Sequence, residues 1–278
     1  MCAMSDSIIA KNSAEAESKF AMPVDAVLLA GGRLKNLPAS EPAVPGKGHI
    51  MIGNKPMSAY TLEALRRSHN IRRIILVSPV KKEDLGPEWE GVDEVAPAGS
   101  SLIQSLFSGL KALPSSHDPV LLVAGDLPFL TTEAVDDFLT RCSAKPHNVL
   151  WYGFLDKAVS QAKYPEVRHT WVKMVEGTFC GGGLTCLRAD IAEAIQQAIA
   201  AVTAGRKNPF KLAGILGLKT LFYLLIGKLT IPMAEEAAAR LLKLPCCGIV
   251  SPYAETAYNI DDAESLEQAR HRLSNSSN

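Results

Sequence analysis

The sequence predicts an α/β protein built on a mostly parallel central sheet. Short apolar runs at Val24–Leu29, Arg73–Val77 and Val120–Ala124 read as strands covered on both faces, as in parallel sheets. Segments with helical spacing alternate with them; Leu102, Leu106, Leu110 and Leu113 form one such stripe. Two glycines, Gly31-Gly32, follow the first run at once. Alternation of this kind signals βαβ units with right-handed crossovers.

Strand one runs into the Gly31-Gly32 turn, where backbone N–H groups can face a ligand with no Cβ in the way. Arg33 and Lys35 add positive charge at that end. Residues 33–55 form a long loop holding Pro38, Pro42, Pro45, Gly46, Gly48 and Gly53, and a loop of that length is usually functional or mobile. A helix starts at Pro56, a good first-turn residue, and carries Met57, Tyr60, Leu62 and Leu65 to Ser68. Strand two is Arg73–Val77, and a short strand lies near Val92–Val95. The Leu102–Leu113 helix comes next. The strand Val120–Ala124 then leads into Gly125-Asp126-Leu127-Pro128, and Thr131 or Thr132 caps the helix after it.

Past residue 146 the alternation weakens. Val149–Tyr152 and Thr170–Val175 read as strands, Gly181-Gly182-Gly183 as a break, and Asp190–Ala204 as a helix. Asn208-Pro209 starts another helical stretch, Cys247–Val250 is a late strand, and Asp261–Leu273 closes the chain as a helix. Residues 1–22 read as a disordered tail lacking the apolar core of a signal peptide, with Asp6, Glu15 and Glu17 against a transit peptide. Residues 23–274 then form a single domain. Its first half is 23–146, and its second half, 147–274, carries a helical insertion at about 206–244.

Composition narrows the function classes. Lys+Arg and Asp+Glu both total 29 in 278 residues, so net charge predicts no nucleic-acid or membrane partner. Six cysteines show no CxxC spacing, and six histidines show no HxxxH or HExxH spacing. Neither a disulfide framework nor a zinc site is indicated, and a cytoplasmic setting is expected.

Ligands of open α/β sheets bind at the carboxyl ends of strands, so the glycine turn, Lys47 of Pro45-Gly46-Lys47-Gly48 and Asp126 are expected on one edge. Asp126 suits a divalent cation that bridges to phosphates; its other reading is a residue that stabilises its own turn. Asn259-Ile260-Asp261 offers a second carboxylate, and Asp261 with Glu264 also fits a capping box. Gly99-Ser100-Ser101-Leu102-Ile103-Gln104-Ser105 opens a helix whose polar side chains either read a base edge or cap the helix. A P-loop is ruled out, because Glu41 stands where its first glycine belongs and Gly48 where it needs Ser or Thr.

Taken in order, Leu-Ala-Gly-Gly, Gly46-Lys47, Lys55-Pro56-Met57, Leu62-Glu63-Ala64-Leu65, Ser105, Gly125-Asp126-Leu127-Pro128 and Asn259-Ile260-Asp261 resemble the nucleotidyltransferases of the molybdenum-cofactor guanylyltransferase-like (MobA-like) superfamily. The resemblance covers most of residues 24–272 and implies that 23–146 is the nucleotide-binding half and 147–274 the acceptor-binding half. It implies a Rossmann-like GT-A fold, a three-layer sandwich, and transfer of a nucleoside monophosphate from an NTP to a small, phosphorylated acceptor with release of pyrophosphate. It further implies that Leu29, Ala30, Gly31, Gly32, Gly99, Ser105 and Gly125 line the nucleotide. Lys47, with Arg33 or Lys35, meets the phosphates, and Asp126 and Asp261 hold Mg2+. Two departures stand out. An Arg-Met-Gly element is replaced by Arg33-Leu34-Lys35-Asn36-Leu37, and Gly-Gly-Asn by Gly181-Gly182-Gly183.

Two other classes fit the same architecture. A glycosyltransferase would want a DxD pair, and Gly125-Asp126-Leu127-Pro128 has one Asp. A non-catalytic nucleotide-binding protein would use residues 206–234 as its partner surface. In that stretch Arg206, Lys207, Lys211, Lys219 and Lys228 interleave with Phe, Leu and Ile and no acidic residue. It is too short and too charged to span a membrane. It reads as a helical subdomain or a homodimer contact, with a peripheral lipid contact as the sharper alternative.

Overall fold

The computed structural model of the protein describes residues 20–34, 41–114, 118–205 and 217–276. Residues 1–19 of the expected tail, Lys35, and Arg206, Lys207, Lys211 and the helix start at Asn208-Pro209 lie outside them, whereas Phe20, also expected in the tail, packs edge-on against Trp151 at 4.9 Å. Among the described residues the chain forms ten strands and eight α-helices. These are β1 (Val24–Leu29), β2 (Met51–Ile52), β3 (Lys55–Pro56), α1 (Met57–Arg67), β4 (Ile71–Ser78), β5 (Glu94–Pro97), α2 (Leu102–Lys111), β6 (Pro119–Ala124) and α3 (Thr132–Ser143). They continue with β7 (Leu150–Asp156), α4 (Lys157–Lys163), β8 (Val172–Lys173), β9 (Thr178–Arg188), α5 (Ala192–Gly205), α6 (Leu218–Leu225), α7 (Ile231–Leu242), β10 (Cys246–Ser251) and α8 (Ala263–Ser276).

The main sheet has the order β10-β7-β9-β6-β1-β4-β5, with β8 on β9. β1 pairs parallel with β4 and β6, β4 with β5, and β10 with β7. Only β9 runs antiparallel, to β6, β7 and β8. The expected mostly parallel α/β sheet is therefore present. From β1 the chain moves outward to β4 and β5, then returns to β6 on the other side of β1. That reversal leaves a crevice at the carboxyl ends of β1 and β6.

Layers follow from which side chains the strands alternate to each face. On one face Leu28, Leu76 and Leu121 pack with Leu62 and Leu65 of α1 and Phe138 and Leu139 of α3. On the other, Val27, Ile75 and Leu122 pack with Leu106 and Leu110 of α2 and Ile195 of α5. Both layers bury whole side chains, each contributing about 1.5–3 kcal/mol.

Three sequence expectations are corrected. Gly181-Gly182-Gly183 does not break the chain; it lies inside β9, whose eleven residues form the longest strand. Gly181 pairs with Phe154 of β7, the β7–β9 register shifts just beyond it, and at Gly181 the absent Cβ is a close-approach requirement, since one would stand 2.2 Å from Tyr152 Oη. Only Val172–Lys173 of the expected Thr170–Val175 strand pairs. The 33–55 loop is partly structured, with a 3₁₀ turn at Lys47–His49 and a β2–β3 hairpin that turns through Gly53 at φ +62°.

Candidate active site

The crevice holds a cleft of about 680 Å³. Leu29, Ala30, Gly31, Gly32, Arg33, Lys47, Gly99, Ser105, Gly125 and Asp126 all line it, so ten of the residues singled out from the sequence come together. Parallel ladders place them. Ala30 N–H donates to Val77 O at 2.9 Å, and Gly125 N–H donates to Leu29 O at 3.0 Å, continuing the β1 pairings one residue past the strand ends.

Lys47 reaches the cleft because its loop is stitched to the glycine turn. Lys47 N–H donates to Gly32 O at 2.6 Å and Gly48 N–H donates to Ala30 O at 3.1 Å. Those bonds use the carbonyls of the turn. Among the described residues no protein acceptor takes the Gly31 and Gly32 amides. Neither glycine adopts positive φ. Gly31 is instead forced by packing, since a Cβ there would stand 2.3 Å from Ala98 Cβ, whereas one at Gly32 meets only the Lys47 methylenes at 3.9 Å.

The Lys47 ammonium lies between two carboxylates. It pairs with Asp126 Oδ2, and with Asp261 Oδ1 at 3.1 Å. Lys47 and Asp126 are nearly buried, at 12% and 14% side-chain exposure, while Asp261 is open at 76%. The segment carrying Asp261 is docked onto Asp126 directly. Asn259 Nδ2 donates to Asp126 Oδ1 at 3.0 Å, and Ile260 N–H donates to the Asp126 carbonyl at 3.2 Å. An aromatic cluster holds the same segment, with Tyr258 edge-on to Phe129 and Tyr164 at 4.6 and 4.7 Å.

The expected Asp261–Glu264 capping box does not form. Asp262 caps α8 instead: its Oδ1 accepts from Ser265 N–H at 2.9 Å, and this interaction holds the Asp262 carboxyl below its usual range. One residue of register thus leaves the Asp261 carboxylate facing Lys47.

Gly99 and Ser105 close the far side of the cleft. Ser105 Oγ accepts from Gly99 N–H at 3.0 Å, and Ser101 Oγ caps α2 by accepting from Gln104 N–H at 3.2 Å. Ser58 was not singled out from the sequence. It is fully buried, and its hydroxyl donates to Gly125 O at 2.6 Å, fixing the peptide before Asp126. The only signal for it was a polar residue among the apolar first-turn positions of α1. His49, next to the Lys47 loop, stacks on Trp89 at 4.8 Å and hydrogen-bonds Ser78 Oγ at 2.9 Å; burial pulls its imidazole below the usual value.

Among the described residues no three His, Cys, Asp or Glu side chains gather as a ready-made metal cage. Asp126 and Asp261 are the residues that could hold a cation such as Mg2+, which takes carboxylate oxygens and completes its shell with water and substrate phosphates.

Known proteins share this fold. A solved hypothetical transferase from Thermus thermophilus superposes with a TM-score of 0.71 at 28% identity, covering 87% of this chain and 99% of that one. A CMP:2-keto-3-deoxy-manno-octonic acid synthetase solved with CTP shares the fold at a TM-score of 0.57 and 13% identity, over 91% of this chain and 99% of that one. The 2-C-methyl-D-erythritol 4-phosphate cytidylyltransferase of Clostridium acetobutylicum is 25% identical over 157 residues, 50% of this chain and 66% of that enzyme. A Clostridium botulinum enzyme of the same name is 27% identical over 123 residues, 42% of this chain and 52% of its own length. The chain thus spans about half to two thirds of these curated relatives. Residues 26–211, well over half of the 278, match the MobA-like NTP transferase domain, and the chain belongs to that family of nucleotidyltransferases.

Proposed function

We propose that the protein transfers a cytidylyl group from CTP to a small phosphorylated acceptor and releases pyrophosphate. The observation that carries the reading is the convergence of Lys47, Asp126 and Asp261 at the mouth of a cleft rimmed by free glycine amides. The choice of cytidine rests on the relatives, whose names are those of cytidylyltransferases.

In this reading an oxygen of the acceptor phosphate attacks the α-phosphorus of CTP. A P–O bond forms as the bond from that phosphorus to the oxygen bridging the β-phosphate breaks, and pyrophosphate leaves with the electron pair. The attacking phosphate is already an anion, so no general base is required. Transfer of this kind is mostly positioning and charge neutralisation. The Gly31 and Gly32 amides orient the triphosphate. Lys47, with Arg33 on the exposed rim, offsets charge growing on the leaving pyrophosphate. Asp126 and Asp261 are the residues that would hold Mg2+, which supplies neutralisation of the phosphates when bound. Lys47 has a double use here, balancing both carboxylates before substrate enters and pairing with phosphate afterwards.

The test is Asp126→Asn, which keeps the size of the side chain and the Asn259 hydrogen bond. Pyrophosphate release from CTP plus a pool of sugar and polyol phosphates is expected to fall about 10²–10³-fold in kcat, with the melting temperature retained. Full pyrophosphate release by the folded variant would refute the role of Asp126. Nucleoside diphosphate as the product would point instead to a nucleotide-sugar donor.

A further inference from the structure

Beside the nucleotide cleft lies a second cavity, of about 540 Å³. Leu106, Leu122 and Leu187 line it from α2 and the sheet, and Ile195 of α5 and Leu241 of α7 from the helices. Among the described residues of its wall, Tyr152 and Thr185 alone carry a polar side-chain atom. Native interiors rarely leave voids larger than a water, and a wall this apolar offers water few partners. A space of this size and character suits an apolar ligand.

Its position says which ligand. Leu29, Leu102 and Ala124 line both cavities, so the two spaces meet at the carboxyl ends of β1 and β6. Leu102 stands at the junction and is 68% exposed. Beyond the far wall, Leu150, Tyr152 and Ala238 also line a smaller apolar space of about 250 Å³ between β7, β10 and α7. An apolar path therefore leads from the α2 side of the cleft into the protein.

The α6 helix adds an independent observation. Leu218, Phe222 and Leu225 fall at i, i+4 and i+7 on one face and are 75%, 58% and 77% exposed. Exposed Lys219 and Lys228 accompany them. The helix is tied to the cavity-lining α7 through Arg240, which donates to Thr220 Oγ1 at 3.2 Å. An exposed apolar stripe with lysines beside it suits contact with an amphiphile that carries an anionic head.

We propose that the acceptor is an amphiphile, a phosphate head on an aliphatic or isoprenoid-like chain. The chain passes Leu102 into the apolar cavity and leaves the head in the cleft at the carboxyl ends of β1 and β6, while Lys47 and Arg33 keep the leaving pyrophosphate. This rests on the nucleotidyl-transfer reading and names its acceptor class.

The experiment is calorimetric titration with n-alkyl phosphates from butyl to dodecyl, kept below their micellar concentrations, with inorganic phosphate as reference. CTP binding is measured separately. The dissociation constant is expected to fall about fourfold per added methylene until the cavity is filled. In Ala238→Phe, which places a ring where the two apolar spaces meet, the plateau should arrive at a shorter chain with CTP binding unchanged. Ile199→Glu, on the half-exposed wall contributed by α5, provides a second variant and should weaken the long chains most. Affinity independent of chain length overturns the proposal, as does an unchanged series in both folded variants. Chain-length independence combined with dimerisation that Phe222→Glu abolishes would assign the apolar face to a second copy of the chain and also overturn it. Loss of CTP binding with the chain-length series intact would refute the nucleotide reading and leave the apolar site standing.

Discussion

Lys47, Asp126 and Asp261 lie 79 to 214 positions apart along the chain, yet the two carboxylates share one ammonium. Lys47 and Asp126 were legible because each sits in a short motif beside a strand end or a glycine. Asp261 was ambiguous for a physical reason: adjacent Asp261 and Asp262 offer the same carboxylate to the same helix start, and only the folded register shows that Asp262 takes the cap. The two glycines of the first turn looked equivalent in sequence and are not. A Cβ at Gly31 collides with the Ala98 side chain on the neighbouring β5–α2 connection, where overpacking costs about 1–3 kcal/mol. Gly31→Ala is therefore expected to lower the urea midpoint and to weaken nucleotide binding by wedging the cleft. Gly32→Ala should fold normally, because its Cβ would meet only lysine methylenes at ordinary contact distance. Equal midpoints for the two variants would show that the Gly31 backbone moves aside freely.

At the scale of elements, the Lys47–His49 turn works as a clip that carries the lysine, and its anchorage titrates. Burial against Trp89 lowers the His49 pKa from its ordinary 6.5, so the folded state takes up a proton less readily than the unfolded chain. Stability from a neutral, buried His49 is complete above the ordinary value and drains as pH falls through it toward the lowered folded value. Between about pH 7.5 and about pH 5.5 the urea midpoint should drop, and the Michaelis constant for nucleotide should rise as the clip loosens. His49→Gln, which keeps a polar group facing Ser78 but cannot be protonated, should flatten both profiles. A slope identical to wild type would place the acid sensitivity elsewhere. The same scale shows where the sequence reading failed. Triple glycine signals a break by composition, but β7 pairs with β9 before and after it, through a register shift opposite Gly153, and Tyr152 crowds Gly181 so that a small residue fits there. Long-range pairing of this kind leaves no local signature.

At the scale of the molecule, the site is the place where the sheet reverses direction, and that explains why so much of it was foreseeable. Alternating apolar strands and amphipathic helices force parallel pairing, parallel pairing aligns the carboxyl ends, and the chain's return from β5 to β6 opens the crevice between β6 and β1. The apolar cavity was not foreseeable, because it arises between α2, α5, α7 and the sheet, and no single stretch encodes the gap. The arrangement also makes stability depend on ligand. Gly31, Lys47, Gly99, Asp126 and Asp261 come from five separate segments, so a nucleotide that touches them bridges parts of the chain that the unfolded state scatters. A ligand that binds only the folded state at a hundred times its dissociation constant adds about 2.7 kcal/mol. For a chain of this size that corresponds to a rise of about 5 °C in melting temperature. CTP with magnesium is expected to produce such a rise. CTP with a chelator should produce much less, because Lys47 alone must then balance the triphosphate against two uncompensated carboxylates. Asp126→Asn should narrow the difference between the two conditions. An equal rise with chelator and with magnesium would mean that the carboxylates serve to position Lys47 and do not hold a cation.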